Sequence, residues 1–175
     1  MLLRPEAPVR ANPAAVAALG MGLAGIAVIL GALFFQYVLG YAPCPLCLEQ
    51  RLFYYVAIPL ALIVAGAAYF GAPRPLVLTG LAILALIFLG GAALAAYHAG
   101  VEWKWWPGPR DCSGPLNPLG GGNLLEQLQS VRVVRCDEAP WTLLGLSLAG
   151  YNFFISLALA GVALWGLTAQ RRQAV

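Results

Sequence analysis

Residues 76–97, Leu76-Val-Leu-Thr-Gly80-Leu-Ala-Ile-Leu-Ala85-Leu-Ile-Phe-Leu-Gly90-Gly-Ala-Ala-Leu-Ala95-Ala-Tyr97, run without a single charged side chain. Crossing about 30 Å of hydrocarbon takes roughly 20 apolar residues in a helix, so this stretch can span a bilayer by itself. Three more uncharged runs have the same character, at about 14–37, 52–70 and 143–167. The composition agrees: 61% of the 175 residues are hydrophobic and 10% are charged, with a mean hydropathy of +0.80. A soluble core has no use for that much apolar surface. The expected fold is an all-α membrane protein, a four-transmembrane-helix bundle in which residues 1–175 form one integral membrane domain.

The first run is too long for the roughly 7–15-residue apolar region of a signal peptide and no cleavage site follows it, so it is read as an uncleaved span. Arg4, Arg10, Arg74, Arg171 and Arg172 all fall on one side of such a bundle. The excess of basic residues makes that side cytoplasmic, both termini included. The loops at about 38–51 and 98–142 then face the opposite side, a bacterial periplasm or its equivalent. The net charge of +3 is scattered or explained by topology, and no nucleic-acid partner is expected.

All four cysteines lie in those two outer loops and none inside an apolar run: Cys44 and Cys47 as a C-x-x-C pair, then Cys112 and Cys136. Buried structural cysteines behave as small inert hydrophobes, and these are not placed as such. Outside the cytoplasm disulfides persist, and an even cysteine count suggests bridges. A bridge across the tight pair would constrain little, whereas C-x-x-C is the spacing of thiol-exchange centres. The wide pair also has a structural reading, because closing a loop of roughly 25 residues contributes about 3–4 kcal/mol through chain entropy.

Pro43 and Pro45 stiffen the approach to the second span, which is expected to begin within Pro45 to Leu48, proline being tolerated at the first helical position. Cys47 then lies in the first turn, where unpaired N–H groups and the helix dipole favour a thiolate. Arg51 follows one turn on, on the same face; the blander reading is an interfacial anchor. His98, the one histidine, ends the third span, where a polar cap is the simple reading. Trp103, Trp105, Trp106 and Trp141 are expected in the outer aromatic belt. In the second outer loop, Asn123 to Val134 carries Leu124, Leu125, Leu128 and Val131 at helical spacing, predicting a short amphipathic helix that lies on the membrane or meets a partner. No metal site is expected: there is no second C-x-x-C, and the methionines are Met1 and Met21, so four converging ligands are hard to assemble.

The ordered set Cys44-Pro-Leu-Cys47-x-x-Gln50-Arg51, Tyr97-His98-Ala-Gly-Val-Glu102, Trp106-Pro-Gly-Pro109 before Cys112, and Cys136-Asp-Glu-Ala-Pro140-Trp141 followed by Gly145-Leu-Ser-Leu-Ala-Gly150 resembles the disulfide bond formation protein B family, DsbB. The early position of the tight pair argues against the vitamin K epoxide reductase family, in which that pair comes late. The DsbB resemblance implies a quinone-dependent protein dithiol oxidoreductase of the bacterial inner membrane. Its partner would be a periplasmic thioredoxin-like disulfide oxidant (DsbA-like), its cofactor a quinone, ubiquinone or menaquinone. It implies catalytic Cys44, Cys47, Cys112 and Cys136, paired as Cys44–Cys47 and Cys112–Cys136 disulfides, with Arg51 and His98 at the quinone. The implied sequence is partner attack at Cys112, exchange of freed Cys136 with Cys44, and electron delivery from Cys47. The alternative is a membrane scaffold with structural bridges, which would show no thiol-dependent quinone reduction.

Overall fold

The computed structural model describes residues 12–109 and 135–172. Four long helices carry the chain: α1 Pro13–Tyr37, α2 Pro45–Tyr69, α3 Arg74–Glu102 and α4 Leu148–Arg172. Each has 25 residues or more and is apolar enough to cross a membrane; at about 1.5 Å per residue even the shortest exceeds the hydrocarbon thickness. Large side chains such as Leu30, Ile63, Leu86 and Trp165 point outward. The interior is built from small ones, with Ala14, Ala18, Ala57, Ala61, Ala85, Ala160 and Ala163 all buried around Leu81, Leu84 and Phe88. Lipid solvates apolar surface as well as protein does, so membrane helices associate where small residues let backbones approach.

The helices form a ring: α1 packs on α2 and α4, α3 packs on α2 and α4, and the α1–α3 diagonal contact is slight. Glycines mark the close approaches. A Cβ at Gly25 would meet Ile58 Cγ1 at 2.9 Å, and one at Gly80 would collide with Val64. Gly90 and Gly91 lie against Phe53, whereas a Cβ at Gly20 or Gly31 would meet nothing within 4 Å.

One end of the bundle is tied by polar contacts. Asn12 caps α1 by accepting from the N–H groups of Ala14 and Ala15, and its amide donates to the Ala68 carbonyl near the end of α2 at 2.7 Å. Arg74 donates to the Arg171 carbonyl at 2.7 Å, so the α2–α3 turn and the end of α4 share that end, as the grouping of basic residues requires.

At the opposite end the second helix begins at Pro45, within the expected Pro45 to Leu48, so Cys47, Gln50 and Arg51 sit in its first two turns. Two places depart from the sequence reading. The third helix runs on to Glu102 instead of stopping near 97, so His98 sits on a helix, because helical hydrogen bonding does not stop where hydropathy falls. The fourth helix begins at Leu148, later than the expected 143, because β1 (Thr142–Leu143) and β2 (Leu146–Ser147) form a tight antiparallel hairpin. Its two central residues, Leu144 at φ 52° and Gly145 at φ 81°, both lie in the left-handed region that two-residue hairpin turns of the primed type require. Cys112 and the expected amphipathic helix at 123–134 lie outside the described residues.

Candidate active site

The reactive end is organised by the start of α2. Cys44 is the N-cap, its sulfur accepting from the Cys47 backbone N–H at 3.3 Å, and Pro45 occupies the first helical position. This geometry turns both sulfurs to the same side of the first turn, and the Cys44 thiol donates to Cys47 Sγ at 2.9 Å. Both are free thiols, the reduced form of the pair. The hydrogen bond to Cys47, together with burial, holds the Cys44 thiol far above the usual thiol range, so Cys44 keeps its proton and Cys47 is the sulfur that accepts.

Cys47 lines a cavity of about 270 Å³ between α1, α2 and α4. Its walls are largely apolar, including Val28, Ile29, Phe35 and Ile155, and its polar residues are Arg51, Gln50, Asn152 and the tyrosines Tyr41, Tyr54 and Tyr151. Arg51 donates to Gln36 Oε1 at 2.6 Å and to the Ala32 carbonyl at 3.4 Å. Among the described residues no carboxylate pairs with it, so its charge is uncompensated at the cavity wall. A cation tied to two neutral acceptors on α1 is held in place for a further electron-rich group. Trp141 is more than a belt residue: its ring packs on Phe35 at 5.1 Å and Tyr151 at 6.2 Å, both cavity residues.

His98 is joined to this cavity through Gln50, a lining residue whose amide meets His98 Nδ1 at 2.7 Å. Its other nitrogen faces Cys44 Sγ at 3.6 Å. The ring is also hydrogen-bonded to the Cys136 backbone. Cys136 is itself buried, in one apolar cluster with Cys44, Leu46 and Val101 against which Cys47 packs. The tight pair and the second member of the wide pair therefore meet at one place, with His98 between them.

The segment carrying Cys136 is pinned from outside. Lys104 donates to the Asp137 carboxylate and carbonyl, each at 2.7 Å, and Arg135 donates to the same carboxylate at 2.8 and 2.9 Å. The hydrogen bonds from Arg135 and then Lys104 hold Asp137 well below the usual carboxylate range. Glu102, in the last turn of α3, accepts from Ser147, whose Oγ in turn accepts the Gly150 N–H at 3.1 Å and caps α4.

Sequence reasoning assigned no role to Gln50, Tyr54, Asn152 or Ser156, which form a connected polar core. Asn152 donates to Gln50 Oε1 at 2.5 Å, Tyr54 donates to Asn152 Oδ1 at 2.6 Å, and the Tyr54 and Ser156 hydroxyls are 3.0 Å apart. A signal for them existed. Gln50 with Tyr54 and Asn152 with Ser156 are polar pairs at i,i+4 spacing in membrane-length helices, where polar side chains are costly unless they find one another.

Cys44 Sγ, Cys47 Sγ and His98 Nε2 bring three ligand-type atoms within 4.8 Å. With Gln50 Oε1 engaged by Asn152, the Gln50 N–H₂ is the group left to donate to Nδ1.

Comparison with known proteins agrees with this geometry. The profile of the family described as Disulfide bond formation protein DsbB matches residues 14–166. A Disulfide bond formation protein B of Polaromonas sp. (strain JS666) is 31% identical over 172 residues, covering 93% of this chain and 96% of the relative. Proteins of the same name are 32% identical in Verminephrobacter eiseniae, over 86% of this chain and 83% of the relative, and 31% identical in Aromatoleum aromaticum, over 89% and 93%. With a dithiol built against a cavity and a further cysteine packed behind it, this is an oxidoreductase, and the chain belongs to the disulfide bond formation protein DsbB family.

Proposed function

We propose that the chain reoxidises a periplasmic thioredoxin-like disulfide oxidant (DsbA-like) and passes the electrons to membrane quinone through the pairs Cys44/Cys47 and Cys112/Cys136. The observation that carries the reading is the position of the tight pair, with Cys47 on the wall of the Arg51 cavity and Cys44 packed with Cys136. A water-soluble partner does not enter the bilayer and a long-tailed quinone does not leave it. Two pairs that meet at the membrane edge solve that problem of reach.

The largely apolar cavity, with one uncompensated cation and a sulfur at its wall, fits a quinone ring. Arg51, Gln50, Tyr151 and Asn152 are the residues that would hold it, and when bound it supplies a two-electron acceptor beside Cys47. The remaining chemistry belongs to the cysteines. A partner thiolate attacks Cys112 and frees Cys136. The Cys136 thiolate then bonds to Cys44 Sγ as the Cys44–Cys47 bond breaks, and the electron pair leaves on Cys47. Arg51 favours negative charge on the cavity side, while the apolar walls keep water away.

The test is quinone absorbance followed in detergent-solubilised protein after addition of a reduced thioredoxin-like partner. Wild type should consume one quinone for each partner dithiol oxidised, two thiols per quinone. Arg51→Leu should keep the fold and raise the quinone concentration needed for half-maximal turnover by about 10–100-fold, the loss of one charge-assisted interaction of about 1.5–3 kcal/mol. Wild-type behaviour of this variant at low quinone would show that the cavity is not the site.

The reading places the protein in the bacterial inner membrane, both termini cytoplasmic and the cysteine-bearing end periplasmic, on the strength of the charge asymmetry. A membrane-impermeant maleimide applied from the periplasmic side should label Cys112 after reduction, and buried Cys136 more slowly. Labelling only from the cytoplasmic side would invert the topology.

A further inference from the structure

The exchange chemistry uses four sulfurs, yet the structure invests a chain of buried polar groups behind one of them. Tyr54, Gln50, His98 and Ser156 are each almost wholly buried, at 2%, 6%, 1% and 1% exposure. They are linked through Asn152 across α2, α3 and α4. We propose that Gln50, Asn152 and Tyr54 are positioning residues that hold His98 as its Nε2–H tautomer, aimed at the Cys44 sulfur, so that the imidazole stabilises Cys44 when it leaves as a thiolate. The inference rests on the exchange sequence proposed above and names the groups that serve its second half.

The direction of the chain follows from donor and acceptor counting. The Tyr54 hydroxyl donates to Asn152 Oδ1 at 2.6 Å, which leaves the Asn152 amide N–H₂ to donate to Gln50 Oε1 at 2.5 Å. With its oxygen engaged, Gln50 presents N–H₂ to His98 Nδ1 at 2.7 Å. A neutral imidazole carries one ring proton, so an accepting Nδ1 places it on Nε2. That nitrogen faces Cys44 Sγ at 3.6 Å; the Cys136 backbone carbonyl also accepts from the ring, so with Nδ1 accepting, the one N–H is shared between that carbonyl and the Cys44 sulfur. Around the ring, Cys44 and Gln50 come from the start of α2, Glu102 from α3 itself at 3.9 Å, and Cys136 from the segment before the hairpin.

Once Cys44 has been joined to Cys136, the link must be undone with Cys44 as the leaving sulfur. An incoming thiolate bonds to the Cys136 sulfur, the Cys44–Cys136 bond breaks, and the electron pair stays on Cys44. One thiolate is consumed and one is produced. Exchange is faster when the departing thiolate is better stabilised, and a fixed N–H beside it does this without reorganisation. The opposite tautomer would present a lone pair to the same charge and oppose its departure.

Because the chain holds a single histidine, selective ¹⁵N-histidine labelling of the full-length protein in detergent yields one ring to observe. With both pairs reduced, wild type should show protonated Nε2 and unprotonated Nδ1. Asn152→Leu, which frees Gln50 to rotate, should give a mixture of tautomers. Tyr54→Phe, which keeps the ring packed on Phe88, should shift the populations the same way by less, and it carries the test if Asn152→Leu does not fold.

For the rate, the Cys44–Cys136 disulfide is formed in a background with Cys47→Ser and Cys112→Ser by oxidising the two remaining thiols with diamide, and is then opened with a small thiol. Release of Cys44 is read as alkylated Cys44 with the small thiol still on Cys136. Asn152→Leu should slow this release about tenfold and Tyr54→Phe about threefold, as expected for a weakened hydrogen bond to charge. A wild-type ring protonated on Nδ1 overturns the proposal. So does an unchanged tautomer in both variants, or a changed tautomer with an unchanged release rate. Failure of the trapped disulfide to form would instead refute the exchange sequence, and with it the leaving-group role, while the tautomer measurement would still report on the positioning chain.

Discussion

Cys47→Ser should bring quinone-linked turnover down to the uncatalysed background, a loss of at least about a thousandfold, because a serine hydroxyl neither ionises near neutral pH nor exchanges with a disulfide. The substitution is nearly isosteric and leaves Cys44 at its cap position. Cys47 is the tight-pair cysteine that lines the Arg51 cavity, so electrons arriving at Cys44 would have no outlet. In this variant Cys44 has no disulfide of its own, so its thiolate should attack the Cys136 sulfur of the Cys112–Cys136 bond and release Cys112 as thiolate; the resulting Cys44–Cys136 disulfide should accumulate, visible as a shifted band on non-reducing gels after acid quench and alkylation. Retained quinone reduction at even a tenth of the wild-type rate would assign the exit to another group.

Cys136→Ala should be as damaging to turnover, with a different residue of chemistry left behind. Cys112 is then a free thiol with no disulfide to be attacked, so it can only act as the attacking thiolate. Offered a thioredoxin-like partner that lacks its own second cysteine and carries a small aromatic thiol as a mixed disulfide on the first, Cys112 should displace that thiol and remain covalently joined to the partner in near-stoichiometric yield, because the sulfur that would resolve the link is missing. Cys112→Ala should abolish the adduct. The Cys136 side chain is buried with Cys44 in a small apolar cluster, which suits a sulfur serving internal exchange better than one meeting a soluble protein. An adduct formed through Cys136 would reverse the roles within the wide pair, and no adduct with either variant would favour structural bridges.

The spans and the C-x-x-C pair were legible because each depends on local properties of the chain. Long uncharged runs report bilayer crossing whatever surrounds them, and the spacing of Cys44 and Cys47 with Pro45 between them predicts a cap and first turn that the structure contains. Arg51 was legible for the same reason, one turn from Cys47 on the same helix. The ends of the spans were less so. Hydropathy falls at residues 45–51 and 98–102 because polar chemistry is placed there, whereas the backbone continues as helix. The hairpin at 142–147 hid inside an apolar run, since its turn takes Leu144 at positive φ and leaves it exposed.

His98 shows where local reasoning stops. From the sequence it is one histidine at the end of a span; the structure shows that it stands beside Gln50 and Cys44. Its partners are 48 and 54 residues away in the chain, and Asn152 reaches Gln50 across 102. No spacing rule connects positions so distant.

The sequence by itself determined four membrane-length helices, the grouping of basic residues at one end, the dithiol at the start of the second helix and the arginine beside it. Each follows from solvation or from helical geometry within a few turns, where neighbours in the chain are neighbours in space. Only the tertiary structure decided the α1–α2–α3–α4 ring, the cavity between α1, α2 and α4, the meeting of Cys136 with the tight pair, and the amide chain behind His98. Lipid solvates the helix surfaces almost as well as protein does, so hydrophobicity leaves their neighbours unspecified. Small-residue contacts such as Gly25 on Ile58, and the need of buried polar groups to pair, select the arrangement, and both act between residues far apart in the chain.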